Sequence, residues 1–405
     1  MKGSTIMTKV VGLIGGIDSH KDTIHVAVIT SVGHEVADRE FATTQSGYRQ
    51  AIAWLAGHGQ FARIGVEGTS SYGVGVTAAL HMASMRVVEV NRTRPAERRK
   101  KGKSDRLDAY RAARSALSGE ASTSPKLASI EPLRALVVAR RSAVKAQQAA
   151  MRQIAAVLIN APAVIRDRYR DLSATKLVTA LVTSRPTQLA EPDHALTLFA
   201  LRSLARRHRV LAEEIKALEE AMRAQVARSN PGLLAVKGVG AVVGAQLLIT
   251  AGDNPDRLRS GPSFAALCGT APIPVSSGKT NRHRLSRGGD RQANAALHHI
   301  AKVRLSCDAH TRTYRDEHLA KGWTTAAVFR ALKRAVAREI YRALLGNCAV
   351  PDYTDLRPAR HAKNLTLTAA ATSLGVWPAT ISQLELGQRR DDTLATNYRQ
   401  WLTAA

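Results

Sequence analysis

The first 125 residues alternate short apolar runs of strand length with stretches of helical pattern, and this alternation narrows the fold more than any other feature. Runs at 10–17, 23–30, 62–66 and 86–90 read as strands, while 48–55 and a small-residue stretch before position 86 read as helices. That order predicts an α/β layout in which helices cover a sheet. From 131 to 229 the pattern is helical throughout. A heptad-like run at 201–226 carries Glu213, Glu214, Glu219 and Glu220 among basic residues, which predicts a coiled-coil hairpin or helical arm. The same pattern fits a spacer between domains, because heptads alone do not choose. A second globular region starts at Asn230, with an apolar, Gly-punctuated stretch at 233–252, a Gly/Ser/Arg-rich loop at 272–290 and helices through 341. A charged, Pro-containing connection at 351–363 leads to a compact tail. The expected domains are 1–125, 126–229, 230–350 and 351–405.

A chain of 405 residues can bury a sizeable core without a disulfide framework. Its formal net charge of +27 and pI near 10.8 point to nucleic acid, the commonest reason for such an excess. An anionic membrane surface is the rival. It weakens because no run of about 18 apolar residues occurs and no basic amphipathic helix stands apart. Lys2 and Lys9 before a short apolar run imitate a signal peptide, but Asp18-Ser-His-Lys-Asp22 follows with no small-residue cleavage site. A cytoplasmic, nucleoid-associated protein is expected. Cys268, Cys307 and Cys348 are too scattered for a zinc site or a disulfide set. Aromatic residues, at 4%, are too few for base-stacking platforms, so recognition should lean on phosphates, grooves or a paired nucleic acid.

Four acids stand where chemistry on such a partner needs them. Asp18 ends one strand-like run and Glu67 another, and acids at strand ends face the crevice where such sheets bind ligands. Asp105 and Asp108, three residues apart, share one face of a helix and close the basic segment that holds Arg98, Arg99, Lys100, Lys101 and Lys103. Four carboxylates suit two hard cations clamping attacking and leaving phosphate oxygens, and the count suits Mg²⁺. Each acid has an ordinary alternative: Asp18 as a turn acid, Glu67 as a helix N-cap neighbour, Asp105 and Asp108 as partners of Arg106 and Arg111.

These residues carry a family resemblance. Gly16-Ile-Asp18-Ser-His-Lys21-Asp22, Val66-Glu67 and Lys103-Ser-Asp105-Arg-Leu-Asp108-Ala resemble the amino-terminal DEDD domain of the insertion-sequence one-ten family of transposases, related to the pilin-gene inverting recombinase. The resemblance implies the RNase H-like (RuvC-like) fold of the Holliday-junction resolvases. In the second region Leu233-Leu-Ala-Val-Lys-Gly238-Val-Gly240, Cys268-Gly-Thr-Ala-Pro272, Ser277-Gly278 and Arg284-Leu-Ser-Arg-Gly288-Gly look like the family's mainly α carboxy-terminal transposase domain. By that match Ser277 is the nucleophile that forms a phosphoserine link to DNA, with Ser276 in reserve. A serine hydroxyl needs a base or metal for this, which the four-acid domain would supply.

Other features read from the residues themselves. Gly238-Val-Gly240 between two apolar helices looks like a helix-hairpin-helix that lets backbone N–H groups approach a phosphate, or else a tight core turn. Ser277-Gly-Lys279-Thr is no nucleotide-binding P-loop, which would require glycine where Ile273 stands. Lys279, Arg282, His283, Arg284 and Arg287 could hold the scissile phosphate or form a solvated basic loop. His298-His299 reads as structural. Residues 364–387 look like a repressor-type helix-turn-helix, with Gly375 at the turn and 378–386 as recognition helix, although only two helices are evident.

The expected activity is that of a transposase or site-specific recombinase on donor and target DNA, with Mg²⁺ at Asp18, Glu67, Asp105 and Asp108. The resemblance further implies guidance by a bridge RNA from the element's noncoding end, and homodimers or homotetramers with composite active sites. A guide that pairs with DNA would explain high charge with few base-reading aromatics. A RuvC-like, metal-dependent, structure-specific nuclease is the first alternative, and a non-catalytic DNA-binding regulator the second.

Overall fold

The computed structural model describes residues 12–90, 104–126, 130–188, 191–252, 254, 257–277, 280–284, 286, 288–348, 350–387 and 389–404. The chain divides into two compact units, Met1–Ile130 with Ala251–Arg259, and Glu131–Thr250 with Ser260–Ala405.

In the first unit β1 (Leu13–Ser19), β2 (Thr23–Ile29), β3 (Glu35–Ala42), β4 (Phe61–Glu67) and β5 (Val87–Val90) form a sheet of order β3-β2-β1-β4-β5. β1, β2 and β3 pair antiparallel, whereas β4 and β5 run parallel to β1. Apolar side chains alternate between the two faces, as the pleat dictates. Ile17, Val66, Ile64 and Val87 pack on one face beneath α1 (Gln45–Ala56) and α2 (Val74–Met82). Ile14, Ile29, Val88 and Val90 pack on the other beneath α3 (Asp105–Ser118). β3 is an element that the residue pattern hides. Its sequence Glu-Val-Ala-Asp-Arg-Glu-Phe-Ala buries only Phe41, because an edge strand half in solvent keeps polar side chains. The segment Ala251–Arg259 returns to this unit: Asn254 Nδ2 donates to Pro125 O at 2.9 Å, and Arg257 Nη1 donates to Glu89 and to Ser124 O.

The second unit is mostly helical. Long helices α4 (Glu131–Ile159) and α7 (Pro192–Ser229) pack together, with Arg140 Nε 2.6 Å from Glu219 Oε1. α5 (Ala163–Tyr169) and α6 (Ala174–Thr183) close one end around Ile154, Ile165, Leu181 and Leu201. Then follow α8 (Pro231–Leu234), α9 (Ala241–Ala251) and α10 (Gly261–Leu267). The stretch 272–290, expected as a loop, contains instead an antiparallel hairpin of β6 (Ile273–Ser277) and β7 (Thr280–Arg284), with Ser277 opposite Thr280. Polar residues at Gly-rich density read as loop, yet the two residues between the strands begin with Gly278, which is hairpin chemistry.

Helices α11 (Arg291–Cys307), α12 (Ala309–Ala320) and α13 (Thr325–Leu344) precede a tail of four helices, α14 (Leu356–Ala362), α15 (Leu367–Ser373), α16 (Pro378–Glu385) and α17 (Asp392–Ala404). α14 lies where a mere connection was expected. Its charge hides a core position: Arg360, 6% exposed, donates through Nε and Nη2 to Glu385 at 2.7 and 3.0 Å, and Tyr398 donates to the same carboxylate at 2.7 Å. Leu356, Ala371, Ile381, Leu384 and Leu402 surround this trio.

Burial alone would push the Glu385 carboxyl up, but the bonds from Arg360 and Tyr398 hold it below its ordinary value. A depressed carboxyl stabilises the fold above its unfolded pKa, and that contribution is lost as pH falls through the folded one. The tail of Glu385→Gln is therefore expected to be destabilised by roughly 3–5 kcal/mol at neutral pH and to show a weaker acid transition than wild type. Tryptophan fluorescence, followed through urea and acid titrations, checks this; identical acid curves would contradict it.

Candidate functional site

The sheet and α3 approach more closely than any side chain would permit. A Cβ on Gly16 would lie 2.1 Å from Ala109 O and 2.3 Å from Ala113 N, and one on Gly65 would lie 2.5 Å from Ala112 O. Gly16 and Gly65 are register partners on β1 and β4, so the two form one shallow seat. On the helix side Ala109, Ala112, Ala113 and Ala116 fill it, all buried. Side chains two residues apart on a strand share a face. Asp18 and Glu67 each stand two residues past a seat glycine, at the carboxyl ends of neighbouring parallel strands. α3 rests on that same face and brings Asp105 and Asp108 in its first turn, where the helix dipole favours carboxylates.

Asp18, His20 and Asp105 offer ligand atoms that lie within 4.8 Å of one another. His20 Nε2 bridges them, 3.0 Å from Asp18 Oδ2 and 3.2 Å from Asp105 Oδ1. Asp108 is buried and accepts from Arg111 Nη1 at 2.7 Å. Arg106 does not pair with Asp105: it donates to Asp38 of β3 at 2.8 Å, as does Tyr110 at 3.1 Å, and together they pin α3 across the sheet. Glu67 lies outside the three-residue cluster, with its backbone carbonyl accepting from Ser19 Oγ at 2.8 Å. Burial raises the Asp18 carboxyl above its ordinary value; His20 opposes this, while Asp108 and Asp105 add to it. Two hard carboxylates and an imidazole nitrogen fit Mg²⁺ or Mn²⁺. His20 was passed over in the sequence, although its place two residues beyond Asp18 was a usable signal.

In the second unit Ser277, described only as backbone, ends β6, and the exposed Arg284 ends β7. The hairpin's base is locked by its neighbours: a Cβ on Gly289 would lie 2.6 Å from Leu267 O, and one on Gly269 would lie 2.6 Å from Gly288 O. Gly238 takes a φ of +86° and packs against Ile300, with Arg304 Nε donating to Lys237 O at 2.8 Å, while Gly240 faces open space. Arg98, Arg99, Lys100, Lys101, Lys103, Lys279 and Arg287 lie outside the described residues, and Arg282 is described only as backbone of β7. Gly375 takes a φ of +64° between α15 and α16. Among the described residues no helix is long and apolar enough to cross a membrane.

A mixed sheet of this order with acids at its parallel strand ends is consistent with an RNase H-like transposase domain. Residues 15–161 match the family model of the IS110 DEDD transposase, and residues 231–316 match that of the transposase IS116/IS110/IS902 family. Both matched models describe transposases of the IS110 type, one over each of two separate stretches of the chain. It is 32% identical over 138 residues to an insertion element IS110 uncharacterized 43.6 kDa protein of Streptomyces coelicolor, covering 31% of this chain and 34% of that protein. It is 26% identical over 175 residues to an insertion element IS900 uncharacterized 42 kDa protein of Mycobacterium paratuberculosis, covering 42% and 44%. The matched part thus spans less than half the length of either relative.

Two outcomes follow from this geometry. Gly16→Ala should cost roughly 1–3 kcal/mol or more in urea unfolding, because the new methyl meets helix backbone that cannot rotate away, and it should weaken Mg²⁺ binding in parallel. For Asp18, a raised folded pKa means a stabilising contribution present below its ordinary 3.8 and lost as pH rises through the raised value. Asp18→Asn should therefore melt above wild type at pH 7 in chelator, by about 2–4 °C per kcal/mol recovered, and lose stabilisation by Mg²⁺. A variant that melts lower in chelator would refute the burial argument.

Proposed function

We propose that the protein is a DNA transposase that excises and inserts a mobile element, cutting and rejoining strands through a phosphoserine intermediate. The observation that carries this reading is the Asp18–His20–Asp105 cluster inside a DEDD-type transposase domain. Asp18, Glu67, Asp105 and Asp108 would hold Mg²⁺, which would polarise the scissile phosphate and lower the pKa of a bound hydroxyl. The family match and the acid-rich donor set support this assignment. His20 would act as a ligand or as the hydrogen-bonded bridge between Asp18 and Asp105.

In the proposed step Ser277 Oγ bonds to phosphorus and gives up its proton to a nearby base, and the displaced sugar oxygen leaves and takes a proton. Attack by another strand's sugar hydroxyl then restores a phosphodiester and frees the serine, so no external energy is needed. Arg282, Arg284 and Arg287, with Lys279, would neutralise charge on the phosphate. Arg98, Arg99, Lys100, Lys101 and Lys103 would contact nucleic-acid backbone, and the net charge of +27 supports such contacts. A bridge RNA supplying sequence by base pairing, a homodimer or homotetramer joined through a coiled-coil arm, a DNA-reading helix-turn-helix tail and a cytoplasmic, nucleoid-associated location complete the proposal. A metal-dependent structure-specific nuclease is the second reading, favoured by an acid cluster that needs only water as its nucleophile.

Incubating the protein with the element's flanking noncoding DNA, donor DNA and Mg²⁺ should yield a nucleotide on Ser277 by mass spectrometry. The adduct should vanish in Ser277→Ala, and Asp105→Ala should abolish cleavage while leaving affinity largely intact. Mg²⁺-dependent cutting without an adduct would select the nuclease, and cleavage surviving Asp105→Ala would remove the metal assignment.

A further inference from the structure

Within the second unit, α4, α7, the first turn of α9 and α11 converge on a cavity of about 690 Å³. Arg140, Arg141, Lys216 and Arg223 line it, against the carboxylates of Glu219 and Glu220. Both acids are engaged by other cations: Arg140 Nε lies 2.6 Å from Glu219 Oε1, and Lys216 Nζ lies 4.0 Å from Glu220 Oε1. Among the described residues no carboxylate pairs with Arg141. Its Nη2 donates instead to two neutral amide oxygens, Gln246 Oε1 at 2.7 Å and Gln292 Oε1 at 2.9 Å. Gln246 is 8% exposed, and its Nε2 donates to Thr250 Oγ1 at 3.1 Å, which in turn donates to Asp290 Oδ2 at 2.6 Å. Asp290 caps α11, so the chain of bonds is anchored in the fold. The guanidinium is thus oriented without being neutralised, and Nε and Nη1 remain for a ligand.

Facing it, Gly240, Ala241, Val242 and Val243 line the same cavity. The first N–H groups of a helix have no acceptor within it and carry partial positive charge. Gly240 has no left-handed φ, and a Cβ there would meet nothing within 4 Å. Neither backbone geometry nor packing requires glycine at this place. A methyl would, however, stand in front of the open helix end, where a ligand oxygen would otherwise approach.

From this geometry we infer that the cavity is a receptor for one backbone phosphodiester of a bound nucleic-acid strand, with one non-bridging oxygen on the α9 N-terminus and the other on Arg141. The inference rests on the nucleic-acid reading above and adds to it a specific pocket built jointly by the arm and the Gly238–Gly240 turn. DNA and RNA share this chemistry, and the test separates them.

The first probe is inorganic phosphate, added at constant ionic strength to the full-length chain during thermal unfolding. Wild type should gain stability over chloride, Arg141→Gln should gain less, and Gly240→Ala should match wild type without phosphate yet lose the gain. Equal gains in all three would overturn the receptor, while Mg²⁺-dependent strand cleavage, measured separately, would still decide the proposed activity. The second probe is the salt dependence of binding to single-stranded DNA and to RNA of the same sequence. Arg141→Gln should reduce the log–log slope by about 0.7 on whichever strand occupies the pocket. Unchanged slopes on both would also overturn the proposal.

Discussion

The contact on which the candidate site depends is the backbone-to-backbone seating of α3 on Gly16 and Gly65. Packing at ordinary side-chain distance would hold the helix farther from the sheet, and its first-turn aspartates farther from the strand ends. Removing two Cβ atoms from adjacent strands, and limiting the helix face to alanines, lets the helix sink into the sheet. Asp105 then comes within reach of the residue that His20 also touches. The glycines do no chemistry, yet they set the distances on which metal chemistry would operate.

Electrostatics adds a cost that this packing must absorb. Asp18 is buried beside two further aspartates, and its raised pKa records how poorly the ionised form is tolerated. His20, Arg111 and the positive end of α3 each offset part of that repulsion. A carboxylate cluster whose charge is only partly offset is primed for a divalent cation, and stability lost in the ligand-free state becomes affinity in the loaded one. The tail solves the opposite problem: Arg360, Glu385 and Tyr398 are buried as a fully bonded set and need no ligand.

Much of this was legible in the residues. β1, β2, β4 and β5 follow apolar runs near the expected positions, and Asp18 and Asp105 lie close together beside His20. Features fixed by tertiary context were harder to see. β3 is an edge strand with polar side chains, so it leaves no alternation to find, although its Asp38 helps pin α3. The β6–β7 hairpin looked like a loop because polar and charged residues outnumber apolar ones in it. α14 looked like a linker because, beside Leu356, its buried member is an arginine whose partner lies 25 residues away. His20 stood in plain view inside the quoted motif, but its role is apparent only once Asp105 is placed beside it in space.

The return of Ala251–Arg259 to the first unit has a bearing on biosynthesis. The contacts of Asn254 and Arg257 with Pro125, Glu89 and Ser124 cannot form until those residues have left the ribosome. A chain cut after the sheet and its helices would lack them, so the acid-bearing unit reaches its finished form only after the whole arm has been translated. Assembly of the scaffold around the acid cluster is thereby tied to synthesis of the long helices between, and a prematurely terminated chain would carry the acids without the segment that completes their unit.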